Sequence, residues 1–155
     1  MYAEIDWAPC SPLMPQAPPV QIDRPPNVGL SSVAQSVPWE NFIADRIVDL
    51  MKLPTGWDGY GGRALTRGAA FIAMNILASF CKSTTPMPSL VPMANGGVQI
   101  EWHFGAIDLE IAINSPGRIS VFYCDDRVDG DGEEFDLKSD FGPLLPLVNK
   151  LDRTA

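Results

Sequence analysis

VQIEWHFGAIDLEIAINSPGRISVFYC, residues 98–124, decides the fold. From Val98 to Phe104 every second residue is apolar, the spacing of a strand with one buried and one wet face. Ile107, Leu109, Ile111 and Ile113 repeat it with Asp108 and Glu110 between them, and Ile119, Val121 and Tyr123 begin a third run. A tight turn at Gly105-Ala106 makes the first two runs an antiparallel hairpin, and the whole reads as a meander whose apolar face needs a cover.

Moving toward the N-terminus, Ser89-Leu90-Val91-Pro92-Met93 reads as a short strand, placed at the sheet edge by Pro92, which cannot donate to a ladder. Asn95-Gly96 predicts a two-residue type I′ turn. That turn sets Met93 beside Val98 and Val91 beside Ile100. Before it, Thr66 caps a helix running to Lys82 whose apolar residues, Phe71 among them, cover most of its circumference, with Asn75 and Ser79 on its least apolar side. This helix is the natural cover. Pro38 opens an earlier helix that ends before Pro54, with Trp39, Phe42, Ile43, Ile47, Leu50 and Met51 on one face. Residues 1–37 hold seven of the chain's 15 prolines and no sustained period, so they read as a proline-rich leader without regular secondary structure. After Cys124 comes the acidic run DDRVDGDGEEFD, then a short helix that Ser139 can cap. The expected architecture is α+β: two N-terminal helices packed on one face of a four- to five-stranded antiparallel meander, with a C-terminal helix. Residues 38–155 form its single domain.

The totals narrow the function. At 155 residues and 46% hydrophobic, the chain supports one domain with a real core. A formal charge of −8 leaves no basic stripe for nucleic acid and permits a basic protein partner. Residues 125–155 alone contribute −5 through nine acids and four bases. Cys10, Cys81 and Cys124 are odd in number and widely spaced, which reads as reduced thiols in a cytoplasmic protein. The longest nearly apolar run, Gly68 to Cys81, spans 14 residues, short of the roughly 20 that cross a bilayer.

Three clusters carry candidate chemistry. In LPTGWDGYGGRA, residues 53–64, Asp58 sits between Trp57 and Tyr60 among four glycines. Asp58 can serve as an Asx turn for its own loop, while the two rings offer rigid contact area for a partner. Across the central hairpin, His103 is expected to face Asp108 and Glu101 to face Glu110. Facing carboxylates either stay hydrated and apart or gather a metal or a proton for hydrolysis. In the acidic run, Asp125, Asp126, Asp129, Asp131, Glu133 and Glu134 can steer a basic partner. Read as a calcium loop from Asp125, the run places Asp129, Gly130 and Asp131 at positions 5, 6 and 7 but Arg127 at 3 and Asp136 at 12, a poor match.

The pairing of LPTGWDGYGG with PSLVPMANGGVQIEW across a helix resembles a family of small bacterial proteins of plasmids and other mobile elements. These carry a Gly-Trp-Asp-Gly loop and a Gly-Gly-Val-x-Leu/Ile-Glu-Trp strand. The resemblance covers roughly residues 38–124 and implies a common fold and no particular activity. Where that pattern has an acidic residue before the Gly-Gly, this chain has Asn95. The expectation that follows is a non-enzymatic acidic protein-binding module, of the immunity, antitoxin or inhibitor kind, that needs no cofactor. Its contacts would come from the leader, from Trp57, Asp58 and Tyr60, and from the acidic run. The alternatives are a small metal-dependent hydrolase using Glu101, His103, Asp108 and Glu110, or a phage structural or assembly protein.

Overall fold

The computed structural model describes residues 38–115 and 117–152, without the side chains of 129–131. The leader expected over residues 1–37 lies outside the described residues. The protein is α+β. Strands β1 (Ser89–Pro92), β2 (Val98–Phe104), β3 (Ile107–Ile113), β4 (Ile119–Asp125) and β5 (Asp129–Leu137) form one antiparallel sheet in the order β1-β2-β3-β4-β5. Helices α1 (Glu40–Met51) and α2 (Arg67–Phe80) precede it, and α3 (Leu144–Asp152) follows.

The period-2 pattern of residues 98–124 resolves as read. Phe104 pairs with Ile107 around Gly105, whose φ of 65° suits the first position of a two-residue turn. One sheet face buries Val98, Ile100, Trp102, Leu109, Ile111, Ile113, Ile119 and Val121. They share a core with Ile43, Ile47 and Leu50 of α1, the alanines Ala69, Ala70 and Ala73 of α2, and Leu144, Val148 and Leu151 of α3. α2 lies against β2 and β3, and α1 against β1. The Trp102 indole donates to Pro86 O at 2.8 Å, so even the largest core side chain leaves no polar atom unpaired. Thr66 caps α2 by accepting from Ala69 N at 3.3 Å.

At four places the structure departs from the sequence expectation. Phe42 and Phe71, expected inside, are 60% and 71% exposed. Each lies about 100° round its helix from the edge of the buried stripe, Ile43-Ile47-Leu50 on α1 and the alanine side on α2, and only that stripe joins the core.

The β1–β2 turn is not type I′. Asn95 does not take a positive φ; Gly96 does, at 83°, and the closing pair is Met93 N donating to Gly97 O at 3.1 Å. The loop therefore has three residues, with Gly96 in the left-handed position that such loops require. The extra residue shifts the register by one. Pro92 pairs with Val98 and Leu90 with Ile100, so Leu90 is buried and Val91 faces out, 40% exposed.

The acidic run, which has no strand period and reads from the sequence as a solvated loop, is instead a turn at 126–128 followed by strand β5. Phe135 pairs with Val121 and Leu137 with Ile119, which supplies enough apolar contact to hold it at the sheet edge. Finally, α3 begins at Leu144 instead of near Ser139. Asp140 accepts from Gly142 N at 2.8 Å, and Pro143 stands just before the first helical turn, where it breaks nothing.

Candidate functional site

Leu53–Thr66 is a rigid platform built by its own polar groups. Asp58 Oδ1 accepts from Tyr60 N at 2.9 Å and Gly62 N at 2.8 Å, which makes it the expected Asx turn. The Tyr60 amide, then that of Gly62, hold the Asp58 carboxyl below its ordinary pKa. A Cβ at Gly62 would meet the Asp58 carboxyl carbon at 2.7 Å, so a side chain there would push the carboxylate out of the turn. Trp57 Nε1 donates to Arg63 O at 3.1 Å, and the Arg63 guanidinium donates to Asn95 O at 2.9 Å. The loop is thereby fastened to the β1–β2 turn, which Thr66 N reinforces by donating to Gly96 O at 2.9 Å. Trp57 is half-buried within this network, whereas Tyr60 is 97% exposed. The platform thus presents one aromatic ring to solvent.

The polar sheet face brings Glu101, His103, Asp108 and Glu110 together in the expected register, His103 opposite Asp108 and Glu101 opposite Glu110. The facing carboxylates are reconciled by neighbouring donors on β2. Gln99 Nε2 donates to Glu110 Oε2 at 2.7 Å, and His103 lies between Asp108 Oδ1, 2.8 Å from Nδ1, and Glu101 Oε2, 3.4 Å from Nε2. The Asp108 hydrogen bond raises the His103 pKa against an opposing cost of burial, and the Glu101 hydrogen bond adds less. In its protonated form the ring is a cation between the two carboxylates. Among the described residues no group of three or more His, Cys, Asp or Glu is placed to hold a metal. The face is open, and its His103 side chain is 55% exposed, so it does not exclude water.

The acidic segment divides. Asp125 is turned inward, with Arg127 Nε at 2.8 Å from Oδ1 and Nη2 at 2.9 Å from Oδ2, and with the Arg127 amide and the Tyr123 hydroxyl adding longer bonds. Arg127 holds its carboxyl down at about 2. Neither oxygen is left for calcium or for a partner, and strands flank the turn. Asp126, Glu133 and Glu134 are exposed. The side chains of Asp129 and Asp131 are outside the described set. Sequence reading missed Arg127, whose pairing with the aspartate two residues earlier needs the β4–β5 turn to form first. It also missed Lys150, whose Nζ donates to the Tyr123 hydroxyl at 3.0 Å and lies 4.4 Å from the ring centre.

Topology separates the two aromatic and acidic groups. Trp57, Asp58 and Tyr60 are fastened to the β1–β2 turn. Asp125 and Asp126 lie at the opposite end of the strands, where Asp126 N donates to Ala106 O of the β2–β3 turn at 2.9 Å. Burial and then the Asp152 carboxylate push the Cys81 thiol up to about 12, which disfavours the thiolate. Among the described residues no helix is long and apolar enough to cross a membrane. No family model matches the chain, and no curated protein or solved structure matches it either.

Proposed function

We propose that this chain is a non-enzymatic, acidic protein-binding module whose partner presents a basic surface. It would act in the cytoplasm in the manner of the immunity, antitoxin or inhibitor components of mobile elements. The observation that carries this reading is Tyr60, a fully exposed ring on a loop whose backbone is fixed by Asp58 and by glycines with φ of 79°, 82° and 98°. A tyrosine on a held backbone has only two side-chain torsions to fix on binding, which is why such rings dominate interface energetics. The exposed carboxylates of Asp126, Glu133, Glu134 and Asp136 support the choice of a basic partner. In this reading α1 and α2 together form the cover of the apolar sheet face, which leaves the turns, the β5 edge and the polar face for contact. The mobile-element setting rests on the resemblance of residues 38–124 and is part of the proposal.

The hydrolase alternative finds less support, because His103 is engaged at both nitrogens on an open face. The test of the binding reading is affinity capture from the lysate of the organism carrying the gene. The wild-type chain would be compared with Tyr60→Ala and with the double variant Glu133→Gln/Glu134→Gln. We expect one basic protein, eluted by salt, to be retained by the wild type and depleted in both variants. Equal retention by all three chains would overturn the reading.

A further inference from the structure

The two edges of the sheet are unequal. β1 has four residues and ends in Pro92, which blunts it as a template for another strand. β5 has nine, and among the described residues no strand pairs with its outer side. Its first part is bent. Asp129 pairs with Asp125 and Glu133 with Tyr123, so three residues of β5 stand against one of β4. Gly132 sits in this bulge with φ of 65°, where a Cβ would meet the Phe122 ring at 2.7 Å. From Glu133 to Leu137 the pairing is regular. With no strand on its outer side among the described residues, this edge offers a row of backbone donors and acceptors.

The side chains along it state what could pair there. Glu134 and Asp136 are exposed on the polar face, where Arg118 holds Asp136 Oδ2 at 2.9 Å and Lys138, two residues further on, is exposed as well, so Glu134 is the carboxylate with no ion pair to a cation among the described residues. Pairing β5 with β5 of a second copy would set these carboxylates against one another, which is unfavourable. A strand bearing Lys or Arg at every second position would meet them instead. On the other side of β5, beside Glu133, lies a cavity of about 390 Å³ between the bulge and α3, walled by Tyr123, Asp125, Val128, Leu147 and Lys150. Leu147 and Val128 give it apolar surface. The alternate side chains of an added strand would point toward it.

We infer that the outer edge of β5, Glu133 to Leu137, is the docking line for an extended segment of a partner protein in which basic and apolar residues alternate. The segment would add to the sheet as a sixth strand. This rests on the protein-binding reading and specifies its mode: main-chain hydrogen bonds give affinity, Glu134 and Asp136 select the charge, and the cavity takes an apolar side chain.

The test titrates the isotopically labelled full chain with a peptide of alternating Lys and Val, followed by amide shifts and hydrogen exchange. Controls are an alternating Glu and Val peptide and the Lys/Val peptide with N-methylated backbone. We expect slowed exchange confined to Glu133–Leu137 with the first peptide only. In Glu134→Lys/Asp136→Lys the affinity should fall about tenfold as two cross-strand attractions become repulsions, with the remaining spectrum unchanged. If the peptide binds but shifts gather at Trp57–Tyr60 or on the polar face, the edge inference is overturned while the basic-partner reading stands. If the Lys/Val peptide does not bind, the edge inference falls, while the basic-partner reading is decided by the capture experiment with Tyr60→Ala. A doubled mass in solution with β5 already protected would give the edge to a second copy and also overturn the inference.

Discussion

The chain's only histidine, His103, lies 2.8 Å from Asp108 and 3.4 Å from Glu101, so its protonated form bridges two carboxylates on neighbouring strands. Its pKa is raised above 6.5, chiefly by the Asp108 hydrogen bond. The sign follows from that direction. The bridge contributes fully while pH is below the unfolded value and is lost as pH rises through the folded one. Urea unfolding of the wild type and His103→Gln should therefore show a stability gap near pH 5.5 that narrows by about 0.5 kcal/mol near pH 8.5, the scale of exposed ion pairs. A gap that does not change with pH would mean that the ring is not held as a cation. The facing of His103 and Asp108 was legible in the sequence, because a two-residue turn at Gly105-Ala106 fixes it. The role of Gln99 was not, since nothing in the alternation says which long polar side chain on β2 reaches Glu110.

At the scale of the element, the lesson lies in the two hairpins of β2. One turn, Gly105-Ala106, has its glycine where a two-residue turn needs positive φ, and the register follows. In the other, Asn95-Gly96 carries the same short-range signal, yet the Asn95 side chain is occupied elsewhere. Its Oδ1 accepts from Gly97 N at 2.9 Å and its Nδ2 donates to Asn114 at 2.6 Å. Those bonds hold Asn95 out of the left-handed region and lengthen the loop by one residue, a long-range effect that local propensity cannot carry. The consequence is measurable. Leu90→Ala should cost about 3 kcal/mol by emptying a core site, whereas Val91→Ala should cost under about 1. The type I′ register predicts the opposite order, so chemical denaturation of the pair distinguishes the two. β5 escaped sequence reading for a different reason. Its acids outnumber its apolar residues, and only Phe135 and Leu137, lying opposite Val121 and Ile119, reveal the period.

For the whole molecule, a five-stranded antiparallel sheet with three helices distributes the surface into regions with different chemistry. The Tyr60 platform is fastened to the β1–β2 turn, and the β5 edge stands four strand spacings away, roughly 20 Å. Between them runs the polar face, on which Glu101 and Glu110 already have donors within the chain. One partner large enough to touch both regions must make two separate contacts with no shared side chain. Residues that far apart couple weakly, so their effects on binding add in free energy to within about 0.5 kcal/mol. Once a partner is captured, Tyr60→Ala and Glu134→Lys should each weaken it, and the double variant should show the product of the two factors to within about twofold. A double variant no weaker than the worse single one would place both residues against a single anchor, or leave one of the two regions outside the interface. The salt dependence separates them further. The Glu134→Lys loss should shrink as ionic strength rises, because screening over about 8 Å at physiological salt acts on charge, while the Tyr60→Ala loss should persist.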